Sequence, residues 1–184
     1  ASPTELMAAP HALERLRGNA AEMLHLAVVA NHYDKQIAVE TWEAIRREVP
    51  GLPPDLPPAA QQNFLALLAH PGRLGELLRG LHQVGLLERV VPGFAHARGL
   101  LQFNQYHKYT VDEHSFRAVE RATEFLRDPG PLGRVYRGIA EKRILHLALL
   151  IHDLGKGFPE DHCEIGRRMA LETADRLGLD ADER

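Results

Sequence analysis

The sequence predicts an all-α fold, a helical bundle with a helical extension on its N-terminal side. Apolar residues recur at helical spacing in nearly every periodic segment, and no stretch of useful length alternates apolar and polar residues with period two. Residues that typically begin or end helices separate these segments. The chain has 184 residues, of which 45% are hydrophobic, which is enough to bury the core of one domain.

The N-terminal half contains four segments with helical periodicity. Ser2 and Pro3 resemble the start of a first helix, which Pro10 and Gly18 would interrupt. The proline-rich stretch 50–58 cannot continue a helix and predicts a stiff connector. The predicted helical segments are 3–30, 34–48, 59–69 and 72–87.

The C-terminal half predicts three more helices. Thr110 and Glu113 have the spacing of a capping box, in which the two side chains satisfy backbone N–H groups of the first turn. We attribute both Asp112 and Glu113 to capping for this reason. Asp161 is placed to cap the last helix. The helices are predicted over 110–126, over 139–154 with a glycine-rich end at 155–157, and from 161 onwards.

Composition excludes several classes of protein. The 22 basic and 25 acidic residues give a formal net charge of −3, which argues against a nucleic-acid partner. The single cysteine, Cys163, excludes an intrachain disulfide and favours the cytoplasm. The longest strongly apolar stretch, 144–151, is too short to span a membrane. Because the chain begins with Ala1, we expect it to be a piece of a larger protein.

The helix that ends at His152 and Asp153 carries the first sign of chemistry. Residues 147–151 are apolar on every helical face, which predicts a buried helix. A carboxylate buried without a partner is costly, and a bound cation removes that cost. A histidine suits the dipole at a helix C-terminus, but an aspartate does not. We therefore predict that His152 and Asp153 are metal ligands.

A third ligand is expected from the preceding helix. His114 lies in the first turn after Thr110, where it can face the end of the next helix. A set of two histidines and one aspartate suits a divalent cation such as Mn, Fe, Zn, Ni or Mg, with positions left for water and phosphate. Metal-assisted hydrolysis is the chemistry that this set predicts.

The pattern of His114, followed by 152-His-Asp-Leu-Gly-Lys-156, resembles the signature of the HD-domain phosphohydrolases. The segments 109–114, 152–157, 161–162 and 80–94 are similar to the HD region of bacterial PII uridylyltransferase/uridylyl-removing enzymes, and this similarity extends from about residue 71 to 170. The resemblance divides the chain into a helical lead-in, 1–99, and an HD domain, 100–184.

The resemblance implies an activity and a set of site residues. In that family the HD domain removes UMP from the PII signalling protein by hydrolysing a phosphodiester. It implies that His114, His152 and Asp153 bind the metal and that Lys156 contacts phosphate. His107 and His162 correspond to histidines near the site, and His162 could serve a second metal ion.

The chain departs from the family pattern in two places. Residues 158–160 replace the small, glycine-rich loop expected before His162. The signature also ends in a distal aspartate, and Asp175, Asp180 and Asp182 lie too close to His152 to supply it. We therefore expect an HD domain that is truncated on its C-terminal side.

Two alternatives remain open at the level of sequence. The domain could hydrolyse a free nucleotide or a cyclic nucleotide instead of a nucleotidylated protein. It could also be a non-catalytic helical module that keeps a metal site but senses a ligand or docks a partner.

Overall fold

The computed structural model of the chain describes residues 4–101 and 109–184. Within these residues the protein is almost entirely helical, which confirms the predicted all-α class. Seven α-helices precede residue 101: α1 (Pro10–Leu16), α2 (Ala20–His32), α3 (Val39–Glu48), α4 (Pro58–Ala69), α5 (Leu74–Gln83), α6 (Leu86–Val90) and α7 (Phe94–Ala97). Four follow residue 109: α8 (Val111–Glu124), α9 (Pro131–Gly138), α10 (Lys142–Ile151) and α11 (His162–Leu177).

The first residues of the described chain form a short strand where a helix was predicted. Strand β1 (Glu5–Leu6) pairs in parallel with β2 (Gln36–Ile37), which lies between α2 and α3. Pro10 then begins α1 instead of breaking a longer helix, because its missing N–H is harmless in a first turn. The capping role predicted for Ser2 falls outside the described residues.

Helix α9 was missed by the sequence prediction, which placed no helix between residues 126 and 139. Pro131 in fact opens α9. Asp128 holds the turn before it, because its carboxylate accepts hydrogen bonds from the N–H groups of Gly130 (2.8 Å) and Gly133 (3.2 Å).

Helix α10 is the central element of the bundle. It packs against α4 on one side and against α8 on another, and α8 in turn packs against α5. The buried side chains form a hydrophobic cluster that includes Phe64 and Leu81 from the N-terminal half and Val119 and Leu150 from the C-terminal half. The predicted boundary near residue 99 stays a prediction, but the core extends across it.

A buried histidine fastens α10 to its neighbours. His146 is fully buried, and its Nδ1 lies 2.6 Å from the carbonyl oxygen of Leu68 in α4. Because that oxygen can only accept, Nδ1 carries the hydrogen, and Nε2 accepts the hydroxyl hydrogen of Tyr136 in α9 at 2.9 Å. Burial lowers the pKa of His146.

None of the helices over 4–101 and 109–184 combines the length and apolar character that a membrane crossing requires.

Candidate metal centre

Asp112 fixes the start of α8, the helix that carries His114. Its carboxylate is buried and accepts hydrogen bonds from the N–H groups of Gly99 (2.9 Å) and Glu113 (2.8 Å). The Nε2 atom of His82 lies 3.0 Å away. Burial by itself would raise the pKa of Asp112, but the hydrogen bonds, including one from Thr110, outweigh it and hold the pKa below its usual value.

The capping box predicted at this helix start is wrong, because Thr110 and Glu113 form hydrogen bonds with other partners. The side chain of Thr110 caps no backbone group and instead hydrogen-bonds Asp112. Glu113 points away from the helix start towards Arg79 of α5, with contacts of 2.9 and 3.0 Å. The reason is that a guanidinium offers a carboxylate two charged hydrogen bonds, which a single backbone N–H cannot match.

His152 and Asp153 are the two residues that directly follow the end of α10. The Nδ1 atom of His152 lies 2.8 Å from the carbonyl oxygen of Leu149. That carbonyl can only accept, so Nδ1 carries the hydrogen. Nε2 faces Asp153, to which it donates when the ring is protonated, and its lone pair is available to a ligand when the ring is neutral. Metal-binding histidines commonly use this arrangement, in which one ring nitrogen donates to a carbonyl and the other faces the ion.

The depth of the site differs from the prediction. The side chains of His114 and His152 are 45% and 38% exposed, while that of Asp153 is 14% exposed. Helix α10 is not buried on every face either, because Ala148 is exposed. The cost of a deeply buried carboxylate, on which the prediction depended, therefore applies only in part. The residues come together at the surface end of α10.

The three predicted ligands converge on one point. The Oδ2 atom of Asp153 lies 3.5 Å from Nε2 of His114 and 3.4 Å from Nε2 of His152. The centroids of the two imidazole rings are 5.2 Å apart. One donor atom from each residue lies within 4.8 Å of the other two. We call these three residues the His-His-Asp cluster.

Electrostatic interactions adjust the charges of the cluster. Burial would raise the pKa of Asp153, but hydrogen bonds from His152 and Lys156 outweigh it and hold the pKa far below its usual value. The hydrogen bond to Asp153 raises the pKa of His152, against the opposing effect of burial. The carboxylate is therefore ionised at neutral pH, as a metal ligand must be.

The donor set fits a divalent cation. Two imidazole nitrogens and one carboxylate oxygen form a mixed nitrogen and oxygen shell, which several first-row transition metals accept. Three protein ligands leave further coordination positions for water or a substrate oxygen. The half-exposed imidazoles of His114 and His152 keep that side of the cluster accessible.

Lys156 lies beside the cluster, where it contacts Asp153, and its predicted contact with phosphate stays a prediction. The Nζ atom is 2.8 Å from Oδ2 of the carboxylate. The loop that follows is held by His96. Its Nε2 atom hydrogen-bonds the Lys156 carbonyl oxygen at 3.1 Å, and its ring stacks on Phe158 at 3.9 Å between centroids. No sequence signal connects residues this far apart.

Of the other two predicted histidines, the one within the described residues, His162, is not brought into the cluster. His162 begins α11 and forms a separate, exposed group with Asp161 and Cys163. Asp161 caps this helix as predicted, accepting from the N–H groups of Cys163 (2.8 Å) and Glu164 (3.1 Å). His107 lies outside the described residues. Its role and that of His162 stay predictions.

Among the described residues, no second carboxylate joins the His-His-Asp cluster. Asp175 instead pairs with Arg184 at 2.5 Å, and Asp180 accepts hydrogen bonds from the N–H groups of Asp182 and Glu183. That the distal aspartate is supplied from outside this chain stays a prediction.

Comparisons with known proteins agree with the resemblance seen in the sequence. Residues 111–183 match the HD domain family. A bifunctional uridylyltransferase/uridylyl-removing enzyme of Ruegeria pomeroyi is 38% identical over 125 residues, 65% of this chain and 14% of the relative. The enzymes of the same name from Cereibacter sphaeroides and Pasteurella multocida are 36% and 34% identical over 67% and 68% of this chain. The chain spans only 14–15% of the length of these relatives.

Proposed function

We propose that this chain binds a divalent cation and hydrolyses a phosphodiester, because residues 111–183 match the HD domain family, a family of metal-dependent phosphohydrolases. The observation that carries the proposal is the convergence of His114 and His152 on Asp153, with one donor atom from each within 4.8 Å of the others. These three residues would hold the ion.

The substrate that we propose is a nucleotidyl group attached to a protein, with UMP on a PII-type signalling protein as the leading candidate. The three relatives carry uridylyl removal in their names. The position of the cluster also supports a large substrate. The side chains of His114 and His152 are 45% and 38% exposed at the surface end of α10. A phosphodiester on another protein can reach such a site without entering a closed cavity.

The residues of the chain prepare the site in three ways. The Leu149 carbonyl holds the tautomer of His152 that presents Nε2. Asp153 remains ionised because His152 and Lys156 hold its pKa low. Lys156 supplies an ammonium group within the cluster that can pair with a phosphate oxygen. The cation, when bound, supplies Lewis-acid chemistry, offsetting phosphate charge and making a nucleophilic water available near neutral pH.

A direct test is the Mn²⁺-dependent release of p-nitrophenol from bis-p-nitrophenyl phosphate. We expect activity in the native chain and a loss of about 10³-fold in the His152→Ala/Asp153→Ala variant, since removal of the ion removes several kcal/mol of stabilisation. His25→Ala is the matched control, because His25 is exposed on α2. Equal activity in the native chain and the double variant would contradict the proposal.

The choice of substrate needs a second assay. A UMP-modified PII-type protein and free nucleotides are offered to the native chain, and released UMP or nucleoside is quantified. Faster release from the modified protein supports our proposal. Hydrolysis of free nucleotides alone supports a free-nucleotide phosphohydrolase. Binding of Mn²⁺ without hydrolysis of either substrate supports the non-catalytic module.

A further inference from the structure

A groove runs between α10 and α11 and has one end at His152. Its volume is about 440 Å³, within the range of small-molecule binding sites. The α10 wall is aliphatic, formed by Ile144, Leu147 and Ile151, whereas the α11 wall combines small residues, Gly166 and Ala170 among them, with Arg167. Two charged residues near the C-terminus also line the groove, but each has an ion-pair partner: Glu183 pairs with Arg143 and Arg184 with Asp175. The groove is therefore an apolar space next to the proposed site of phosphoester chemistry.

The groove and the His-His-Asp cluster are continuous, because His152 belongs to both. The first turns of α11 also lie close to the turn that follows α10. A Cβ atom added at Gly155 would lie only 2.1 Å from the carbonyl oxygen of His162 and 2.5 Å from the backbone nitrogen of Gly166. The beginning of α11, with Arg167 on its groove side, is thus held beside the chain that leaves the cluster.

The walls of the groove favour a flat ring. One helix offers branched aliphatic side chains, and the other offers almost no side-chain bulk at Gly166 and Ala170. A planar ring in the groove would have the aliphatic side chains of α10 on one side and the small residues of α11 on the other. Arg167 adds a cation along the same groove; its side chain is 64% exposed, and its nearest partner is Glu164 at 2.7 Å. A ring joined to an anion matches this combination.

We propose that this groove is a nucleoside subsite, in which the base of a nucleotidyl phosphodiester lies between α10 and α11. The inference rests on the proposed function, because it assumes a phosphodiester held at the cluster. Such a phosphodiester has two ester groups, and one of them can enter the groove. The nucleoside group takes the groove, its base against the aliphatic wall, and Arg167 pairs with its phosphate. The second ester group, the modified protein, stays outside on the exposed side of the cluster.

The test is the binding of UMP and of ribose 5-phosphate, measured by calorimetry with Mn²⁺ present. Ribose 5-phosphate carries the sugar and the phosphate but no base. In Ala170→Leu the added side chain fills the groove, so we expect UMP to bind about 10-fold more weakly, while ribose 5-phosphate binds as before. Circular dichroism of the variant checks that it remains folded.

Adjacent arginines supply a matched pair that does not depend on filling the groove. Arg167 lines the groove, whereas Arg168 does not, yet their side chains are equally exposed and each pairs with a glutamate of the same helix. Arg167→Ala should weaken the binding of both UMP and ribose 5-phosphate several-fold, because both carry the phosphate. Arg168→Ala should bind both as the native chain does.

Two results would overturn the subsite. In the first, the native chain binds UMP no more tightly than ribose 5-phosphate. In the second, the native chain and the variants Ala170→Leu and Arg167→Ala bind UMP with equal affinity. Turnover of bis-p-nitrophenyl phosphate separates this outcome from failure of the proposed function. If the chain shows no turnover but binds UMP as expected, hydrolysis is contradicted and the nucleoside subsite is supported. If it shows turnover but does not bind UMP as expected, hydrolysis is supported and the subsite is contradicted.

Discussion

At the scale of single residues, the candidate site shows which contacts a sequence can reveal. His114, His152 and Asp153 could be predicted because their types and spacing form a recognisable pattern. The pairing of Asp153 with Lys156 and the anchoring of the next loop by His96 could not, since each depends on where a side chain points. Asp112 accepts a hydrogen bond from a first-turn N–H, as its assignment to capping predicts, but its further contacts with Gly99, Thr110 and His82 could not be predicted.

His146 gives a prediction about pH at the same scale. Burial places its pKa below the ordinary value in the folded protein, so the unfolded chain binds more protons as the pH falls below about 6.5. Its contribution to stability is therefore complete above that pH and declines below it. His146→Gln should remove up to about 1.4 kcal/mol per pH unit from the slope of the unfolding free energy between pH 5 and 6.5.

Urea unfolding at several pH values measures this slope. His25→Gln is the control, because His25 is exposed on α2 and its replacement should leave the slope unchanged. Identical slopes in the native chain and in His146→Gln would show that the buried imidazole does not produce the effect.

At the scale of elements, the contact between α5 and α8 should depend on one arginine. Arg79 of α5 makes hydrogen bonds of 2.9–3.0 Å to Glu113 and Glu120 of α8, and these bonds raise its pKa. Arg79→Met leaves Glu120 without its cation and Glu113 with only the exposed Arg117, so it should lower the free energy of unfolding by about 1–3 kcal/mol. Arg121→Met, which breaks an exposed pair within α8, should cause no measurable change.

Chemical denaturation compares the two variants directly. An equal effect of Arg79→Met and Arg121→Met would contradict a specific role for the bridge between the helices.

Gly155 should set how closely α11 approaches the end of α10. The atoms that a Cβ would meet there are backbone atoms of His162 and Gly166, which cannot rotate away. Gly155→Ala should therefore lower the free energy of unfolding by about 1–3 kcal/mol through overpacking. Gly138→Ala is the control, since no atom lies within 4 Å of its added Cβ. Thermal unfolding that ranks the two variants equally would refute this close-packing account.

The elements that the sequence missed share a physical cause. Strands β1 and β2 have two residues each, too few for any alternation to be read. Helix α9 opens with Pro131, and the same residue type also ends helices, so its role depends on whether a turn such as that of Asp128 precedes it. Longer helices such as α8 and α10 were predictable because several turns repeat the same pattern.

At the scale of the whole molecule, the all-α class followed from periodicity, but the shared core did not. Phe64, Leu81, Val119 and Leu150 belong to one hydrophobic cluster, although two of them lie on each side of residue 99. Such contacts join residues far apart in the chain, and local patterns carry no information about them. The surface position of the His-His-Asp cluster was missed for the same reason.

A shared core predicts that the chain unfolds as one unit. Trp42, the single tryptophan, lies in the N-terminal half and its ring is close to Gly80 of α5. Its fluorescence should change at the same urea concentration as the far-UV circular dichroism of all the helices. Saturating Mn²⁺ should raise both midpoints together, because an ion that binds only the folded state stabilises that state. Separate transitions would show that the two halves fold independently.

The most direct test of the central claim is a calorimetric titration of Mn²⁺ into the native chain and into His114→Ala, His152→Ala and Asp153→Asn. Because each variant removes one of three donors, each should bind the ion at least ~10-fold more weakly, while His25→Ala binds it as the native chain does. Equal Mn²⁺ affinity in all five proteins would contradict a metal site at the His-His-Asp cluster.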